Sequence, residues 1–448
     1  MGVVRNAVAG LGFDRDTPMV EFPIDVFLIE SDLSPVKKAK KKFIDGFSNW
    51  NSAVTKLGLI NAKMINLDIG DYAKSLVAVN NLFIKNLWSD GLPIIPPTPD
   101  KVEWILKGTD RARDEKIGKF MPRGGIVTIE TIAVSLAMAG GRPEYLSILI
   151  AAVEAILHPS MDHDKWQSTS GMTFPVIIVN GPIASDIRIN SGFGLMGPNP
   201  QAPAGGIIGR ALRLMQQNVG GALPGVGTMA IFGAMRYTNA VIAEAEDTFP
   251  DDWETHATEW HGVPHGTNIV SVFIATGGAN IIRRGTGKET LIVEAEDSLR
   301  RISTYMQTAN PHYIRGWTGG TAGAVIISPV VAKQLASLGW TKTKIKEFLW
   351  ANTKIEKETV ISSGLEQWIR ASTDPVAQAA SIDPWPICQR PDGIMVLVAG
   401  GAHPTHNFWL QGNALTVGKK IVETPSNWTE LLKQADRDLG CADDVCLV

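Results

Sequence analysis

Short apolar runs separated by helical stretches restrict the fold of this chain more than any other feature. The clearest is 174–179 (FPVIIV), followed by 268–275 (NIVSVFIA), 324–327 and 394–398 (IMVLV). Such runs, rich in Val and Ile, predict buried strands. The spacing of apolar residues predicts helices near residues 128–140, 143–157, 203–218, 288–308, 329–338, 341–351 and 425–439. Strands that alternate with helices predict an α/β fold with a mixed or mostly parallel sheet and flanking helices.

The chain of 448 residues has room for more than one domain. We expect a small N-terminal α/β piece over residues 1–65 and a large α/β domain over 66–448 that carries a Gly-rich ligand loop. The boundary is placed between 60 and 90, before the Pro-dense segment DGLPIIPPTP. Thr98 followed by Pro99 then predicts the start of a helix.

Composition narrows the class of protein. Hydrophobic residues make up 44% and charged residues 19%, which predicts a folded chain. The net charge of −3 argues against nucleic acid or an anionic membrane as the main partner. No apolar run is long enough to span a membrane, and the N-terminus lacks the pattern of a secretory signal. We therefore expect a cytoplasmic protein, and its three cysteines are too few for a disulfide scaffold.

A Gly/Pro-rich loop between a buried strand and a helix is the strongest candidate for a ligand site. The helix begins near Ala204, and the free N–H groups at a helix start bind anions. Arg210 lies on this helix and is expected to clamp a carboxylate or phosphate. The expected substrate-binding residues are Asn190, Gly192, Gly205, Gly206 and Arg210, with Arg142 and Asp90 in second line. The alternative is a loop that packs helix against sheet, with the arginines in ordinary ion pairs.

Histidines near carboxylates suggest a divalent transition metal as one candidate cofactor. The candidate ligands are His256, His261, His265, His403 and His406. The spacing matches no established metal motif, and histidines in loops are more often exposed to solvent or hydrogen-bonded. Ser191, in the sequence INSG, is the serine best placed to be presented at a strand end.

Seven short motifs resemble a family of large domains that are fused to, or encoded beside, proteins with a UGSC motif. The motifs are DGLPIIPPT, MAGGRPEY, VNGPI, INSG, GPN, IGRALRL and NVGG, in this order, and the resemblance covers residues 85–440. UGSC domains are similar to the selenoprotein B subunits of glycine, sarcosine, betaine and proline reductases. The resemblance implies a partner subunit that carries a thiol or selenol. Glu244, Glu246 and His256 match the family pattern, whereas His261 and His265 do not.

This chain departs from the family in two places. Residues 1–60 resemble the second half of a UGSC domain, yet the UGSC motif is absent. Gly141 stands where relatives have Cys, so no thiol role is carried over to that position. A reactive thiol or selenol would therefore come from another chain.

Three functions follow as hypotheses. The first is an enzyme, or an enzyme subunit, that makes or breaks a C–S, C–Se or C–N bond in a small anionic substrate, with lyase or reductase-type chemistry. Its acid–base groups would be Glu244, Glu246 or His256, with Ser191 beside them, and burial would raise their pKa values. The second is a metal-dependent hydrolase or lyase that uses the histidines and glutamates. The third is a non-catalytic ligand-binding or scaffold subunit. Trp253, Trp260 and Trp317, expected to be exposed, suggest a homo-oligomer.

Overall fold

A computed structural model describes most of the large domain and parts of the N-terminal region. The described residues are 18–20, 22, 26, 30–49, 64–67, 70–233, 235, 238–283, 291–307, 321–362, 383–413 and 416–440. Most of the expected N-terminal piece, Trp317, Cys441 and Cys446 lie outside these residues. No helix in the described ranges is both long and apolar enough to cross a membrane.

The fold is α/β, as the alternation of strands and helices predicted. The strands are β1 (Lys116–Phe120), β2 (Gly125–Thr128), β3 (Phe174–Asn180), β4 (Ala240–Ala243), β5 (Ile269–Ile282), β6 (Gly323–Ile327), β7 (Ile394–Val398), β8 (His406–Gly412) and β9 (Gly418–Ile421). β1 and β2 form a separate antiparallel pair. The other seven form one curled sheet in the order β4-β3-β5-β8-β6-β7, with β9 paired to β5.

The described helices differ widely in length. They are α1 (Ser34–Lys38), α2 (Lys40–Asn49), α3 (Tyr72–Lys85), α4 (Pro99–Leu106), α5 (Ile129–Met138), α6 (Leu146–Leu157), α7 (His163–Ser168), α8 (Ile183–Asp186), α9 (Ala204–Asn218), α10 (His256–His261), α11 (Leu291–Met306), α12 (Pro329–Ser337), α13 (Lys342–Asn352), α14 (Lys357–Val360) and α15 (Trp428–Leu439). The expected start of α4 is confirmed, because the side chain of Thr98 accepts a hydrogen bond from the Lys101 N–H.

The sheet is mixed and contains one strand arrangement twice. β3 pairs in parallel with β4 and antiparallel with β5, while β6 pairs in parallel with β7 and antiparallel with β8. β5 and β8 then pair antiparallel and join the two halves. The sequence shows no fixed-period repeat, so this internal similarity is one of topology alone.

The curled sheet encloses its own apolar core. Alternate residues of β3, β4, β5, β6 and β7 point to this inner side and form one cluster, which includes Phe174, Val176, Ile178, Ile242, Phe273, Ile326, Met395 and Leu397. The two edge strands meet where they end, because the Ala245 N–H donates to the Val398 carbonyl at 2.9 Å. The carboxyl end of β4 is thereby fixed beside that of β7.

Two helical layers cover the outer face of the sheet. One packs α5, α6 and α9 against β3, β4 and β5, and the other packs α11, α12 and α13 against β6 and β7. α6 is apolar on nearly all sides and has ten buried residues, as expected for a helix inside a large core. Trp253, which we expected to be exposed, is buried, and its indole N–H donates to the Trp340 carbonyl.

Candidate active site

Two polar side chains lie at the ends of the neighbouring parallel strands β3 and β4. The register pairs Ile178 with Ile242, and both residues belong to the inner core. Because side chains alternate across a strand, Asn180 and Glu244, two residues further on, face the same side and lie next to each other. Asn180 is 1% exposed and Glu244 is 4% exposed. The alternation of side chains along β3 and β4 therefore places an amide and a carboxyl group inside the curled sheet.

The Asn180 amide joins two carboxylates. Its Nδ2 donates to Glu244 Oε2 at 2.8 Å and to Glu246 Oε1 at 2.8 Å, one N–H to each. Because both partners are acceptors, they fix which end of the amide is the nitrogen. The Gly181 N–H also donates to Glu246 Oε1 at 2.9 Å, and the His256 backbone N–H donates to Glu244 Oε2 at 2.6 Å. The arrangement holds two carboxylates close together through shared donors.

A cleft of about 470 Å³ opens at this point. It lies at the carboxyl ends of a parallel strand pair, where α/β folds commonly bind ligands. Of the described residues that line it, three are acidic and one, His265, is basic. The lining residues are Gly181, Pro182, Ala184, Ser185, Ile189, Ser191, Ala243, Glu244, Glu246, Asp247, His265 and Gly266.

Glu246 is the carboxylate best placed to react. It is half-buried, and its Oε1 is held by Asn180 and Gly181. In the described part of the chain, no donor is recorded to its other oxygen, Oε2. A carboxylate with one oxygen fixed and the other open to a cleft has the geometry of a general base. Glu244, whose two oxygens both have partners, positions Asn180 instead.

A buried group of charges lies behind Glu244. Lys342 Nζ is 3.6 Å from Glu244 Oε1 and 3.7 Å from Glu259 Oε2, and Lys346 Nζ is 2.5 Å from Glu259 Oε1. Lys342 is 5% exposed and Lys346 is 4% exposed. Both lysines lie on α13, one turn apart, so this helix balances the buried carboxylates. A buried charge without such a partner would destabilise the fold strongly.

His256 and His261 pack against each other, and their surroundings favour the neutral form of both. Burial lowers the pKa of His256 well below its usual value, and the nearby His261, Lys342 and Lys346 lower it further. Burial, together with Lys419, lowers the pKa of His261 to about 4. Our expectation that burial would raise the pKa of His256 was wrong, because burial penalises the charged form, which for imidazole is the cation.

The Ser191 loop forms one wall of the cleft. The Asn190 carbonyl accepts from the Ala243 N–H at 3.0 Å, and the Ser191 carbonyl accepts from the Gly400 N–H at 2.7 Å. The Asn190 side chain folds the loop on itself, since its Oδ1 accepts from the Gly192 N–H and its Nδ2 donates to the Phe193 carbonyl. The structure thus gives Asn190 and Gly192 a role in shaping the loop, while Ser191 lines the cleft.

The start of α9 is built for packing. A Cβ at Gly205 would lie 2.7 Å from the Val241 carbonyl oxygen, so this glycine lets the helix approach β4 closely. A Cβ at Gly206 would lie 3.4 Å from Pro198. Neither glycine is among the residues that line the cleft. The positions of the two glycines agree with the alternative hypothesis, in which the Gly-rich loop packs the helix against the sheet.

The arginines expected to bind substrate are engaged in ion pairs. Arg210 forms a bidentate pair with Asp90, with Nε–Oδ2 2.8 Å and Nη2–Oδ1 2.9 Å, and also donates to the Pro93 carbonyl. Arg142 pairs with Glu144 and with Asp438 of α15. These pairs fasten Pro-rich and C-terminal segments to the domain, so we no longer assign Arg210, Asp90 or Arg142 to the substrate site.

The expected metal ligands do not form one site. Among the described residues, no three His, Cys, Asp or Glu side chains are grouped so as to hold a metal ion. His256 and His261 contact each other, with ring centroids 5.5 Å apart. His265 is exposed at the cleft. His403, in the loop between β7 and β8, forms a separate pair with His406, the first residue of β8.

Cys388 is unsuited to nucleophilic chemistry. It is buried, and burial raises the pKa of its thiol to about 12. A thiol that stays protonated at neutral pH is a poor nucleophile.

Sequence reasoning missed Asn180, Lys342 and Lys346. Asn180 follows an apolar strand directly and precedes Gly-Pro, which is the signal that could have found it. The two lysines are spaced four residues apart in a predicted helix, which places them on one face. Nothing in the sequence shows that this face meets Glu244.

No protein-family model matches this chain, and neither the curated proteins nor the solved structures yielded a match.

Proposed function

We propose that this protein is an enzyme that breaks or makes a carbon–nitrogen bond in a small amine-bearing substrate, by acid–base chemistry in the Asn180–Glu246 cleft. The observation that carries the proposal is the Asn180 amide, which bridges Glu244 and Glu246 where the cleft opens. A carboxylate that fixed donors hold at the edge of a cleft is placed to exchange a proton with a bound substrate.

The charge of the lining narrows the substrate class. Glu244, Glu246 and Asp247 border the cleft, whereas no Lys or Arg lines it among the residues that the structure describes. Arg210 and Arg142, which we expected to attract an anion, are paired elsewhere. An amine or another cationic group complements such a lining, and a carboxylate or phosphate would be repelled. Of the three bonds considered from the sequence, this favours C–N over C–S or C–Se.

The residues divide the work as follows. Glu246 Oε2 takes a proton from a substrate carbon, and the electron pair of that C–H bond forms a C=C bond to the adjacent carbon. The protonated nitrogen on that adjacent carbon leaves as a neutral amine with the electron pair of the C–N bond. Glu246 then passes its proton to water in the cleft, beside Ser191. Asn180 and Gly181 hold Glu246 Oε1, and Glu244 fixes Asn180 in turn. His256, which is neutral and enclosed, supports Glu244 through its backbone N–H alone.

We also propose a partner subunit of the UGSC type and a location in the cytoplasm. Cys388 is buried, so among the described residues no thiol is available for carbon–sulfur chemistry. Such chemistry would need a thiol from elsewhere, which agrees with the family resemblance. Carbon–nitrogen chemistry needs no such partner.

The test is the conversion of small molecules by the purified protein. An aqueous extract of small metabolites is incubated with the wild-type protein and with Glu246→Gln, and masses consumed or produced are compared. Glu430→Gln, an exposed carboxylate on α15, is the matched control. We expect amine-containing masses to change with wild type and control, and not with Glu246→Gln. Equal conversion by Glu246→Gln refutes the role of this residue, and binding without conversion favours the non-catalytic hypothesis.

A further inference from the structure

A second cluster of polar atoms lies outside the cleft, in the segment His403-Pro-Thr-His406, which ends the loop after β7 and begins β8. His403 Nδ1, His406 Nδ1 and Thr405 Oγ1 are each 3.0 Å from the other two. The three atoms form an equilateral triangle, and each carries a lone pair that can coordinate a metal.

The three contacts of this triangle cannot all be well-directed hydrogen bonds at the same time. A ring nitrogen that donates its proton has no lone pair left in the ring plane to accept another, and the Thr405 hydroxyl has one proton to give. One contact along the His403–Thr405–His406 triangle therefore stays without a well-directed hydrogen bond. A cation above the triangle would use all three lone pairs at the same time.

We propose that His403, Thr405 and His406 form a binding site for a borderline divalent transition metal, such as Ni²⁺, Co²⁺ or Cu²⁺. A metal about 2.1 Å from each atom would see ligand–metal–ligand angles of about 90°. Such angles fit one triangular face of an octahedron and not a tetrahedron. Imidazole ligands select these metals over Mg²⁺ and Ca²⁺.

The loop is fixed by the residues around it. The His403 carbonyl accepts from Ser328 Oγ at 2.5 Å, and the Thr405 carbonyl accepts from the Arg283 N–H at 2.9 Å. Pro404 restricts the backbone between the two histidines. The site therefore needs little rearrangement to bind, which lowers the entropic cost of coordination.

The surroundings leave room for further ligands. His403 is exposed, whereas Thr405 and His406 are half-buried. Three protein donors on one face leave three octahedral positions for water or a small molecule. The loop begins beside the cleft, since Gly400 donates to the Ser191 carbonyl, but the proposal does not depend on the function of that cleft.

The test is titration of the purified full chain with Ni²⁺ at pH 7.5, followed by calorimetry. We expect one ion per chain, with affinity reduced at least tenfold by His403→Ala or His406→Ala. His158→Ala, which removes an exposed histidine bonded to Ser160, is the matched control and should bind as the wild type does. Binding that is absent, or that is unchanged in both loop variants, overturns the proposal.

A second measurement tests the geometry. Co²⁺ in an octahedral site absorbs weakly in the visible range, whereas a tetrahedral site absorbs strongly. We expect the weak spectrum, and a strong one would overturn the facial arrangement. Thr405→Val should weaken Ni²⁺ binding and Thr405→Ser should retain it, since only the hydroxyl is needed. Equal affinity in the Thr405→Val variant refutes the third ligand.

Discussion

Replacing Asn180 tests the network that defines the candidate active site. Its Nδ2 makes two hydrogen bonds to carboxylates, each 2.8 Å long, and the residue is almost fully buried. Hydrogen bonds to charged groups contribute about 1.5–3 kcal/mol each. Asn180→Leu keeps the volume and removes both donors, so we expect it to lower the free energy of unfolding by about 3–6 kcal/mol. Urea denaturation followed by tryptophan fluorescence measures the change.

The Asn180→Asp variant adds a dependence on pH. It places a third carboxyl group between Glu244 and Glu246, and like charges raise the pKa values of such a group in the folded state. An acid whose pKa is raised on folding destabilises the protein above its unfolded pKa of about 4. The stability difference from wild type should therefore narrow as the pH falls from 7.5 to 5.

The control is Asn86→Asp, at an exposed asparagine whose side chain donates to the Leu82 carbonyl. It should change stability little, and equally at both pH values. Two results would refute the network: a loss below about 1 kcal/mol in Asn180→Leu, which is less than one charged hydrogen bond, or an Asn180→Asp effect that does not vary with pH.

Three further predictions concern the surroundings of the site. Arg210→Gln should lower the free energy of unfolding by about 1–3 kcal/mol. Burial raises the pKa of Asp90, but the hydrogen bonds and the charge of Arg210 outweigh burial and hold this pKa below its usual value. The loss of stability in Arg210→Gln should therefore become smaller below pH 4, where Asp90 is protonated. Urea denaturation at several pH values measures it. Because the pKa of His261 is about 4 in the folded state, the free energy of unfolding of the wild type should fall as the pH drops from 6.5 to 4. In His261→Asn this free energy should depend less steeply on pH, as measured by denaturation curves at several pH values. Gly205→Ala should destabilise the protein by about 1–3 kcal/mol, because the new Cβ would meet the Val241 carbonyl. Gly206→Ala is the control and should change stability little. Equal melting temperatures for the two variants would contradict the packing of α9.

Much of the fold could be predicted because local signals agree with burial. The run FPVIIV is apolar on both faces and forms β3, and the expected helix near 203–218 appears as α9 over Ala204–Asn218. By contrast, β4, β8 and the second half of β5 were not predicted. β5 continues through Thr276, Gly277 and Gly278, residues that weaken a strand pattern, and is completed by pairing with β8. Such pairing is a property of the tertiary structure.

The candidate site was predictable in part for the same reason. Glu244, Glu246 and Ser191 were identified from the sequence, and the structure places all three at one cleft. Arg210 was assigned to substrate from its position on a helix after a Gly-rich loop, yet its partner Asp90 lies 120 residues away. Lys342 reaches Glu244 from the other half of the sheet. Contacts between residues so far apart in the chain leave no local signal.

The central claim is that an acidic cleft at Glu246 selects an amine, and ligand-observed NMR with three matched probes tests it most directly. Propylamine, propanol and propionate have nearly the same size and differ in charge. We predict saturation transfer to propylamine, little to propanol and none to propionate, with the propylamine signal lost in Glu246→Gln. Preferential binding of propionate, or propylamine binding that survives in Glu246→Gln, would contradict the claim.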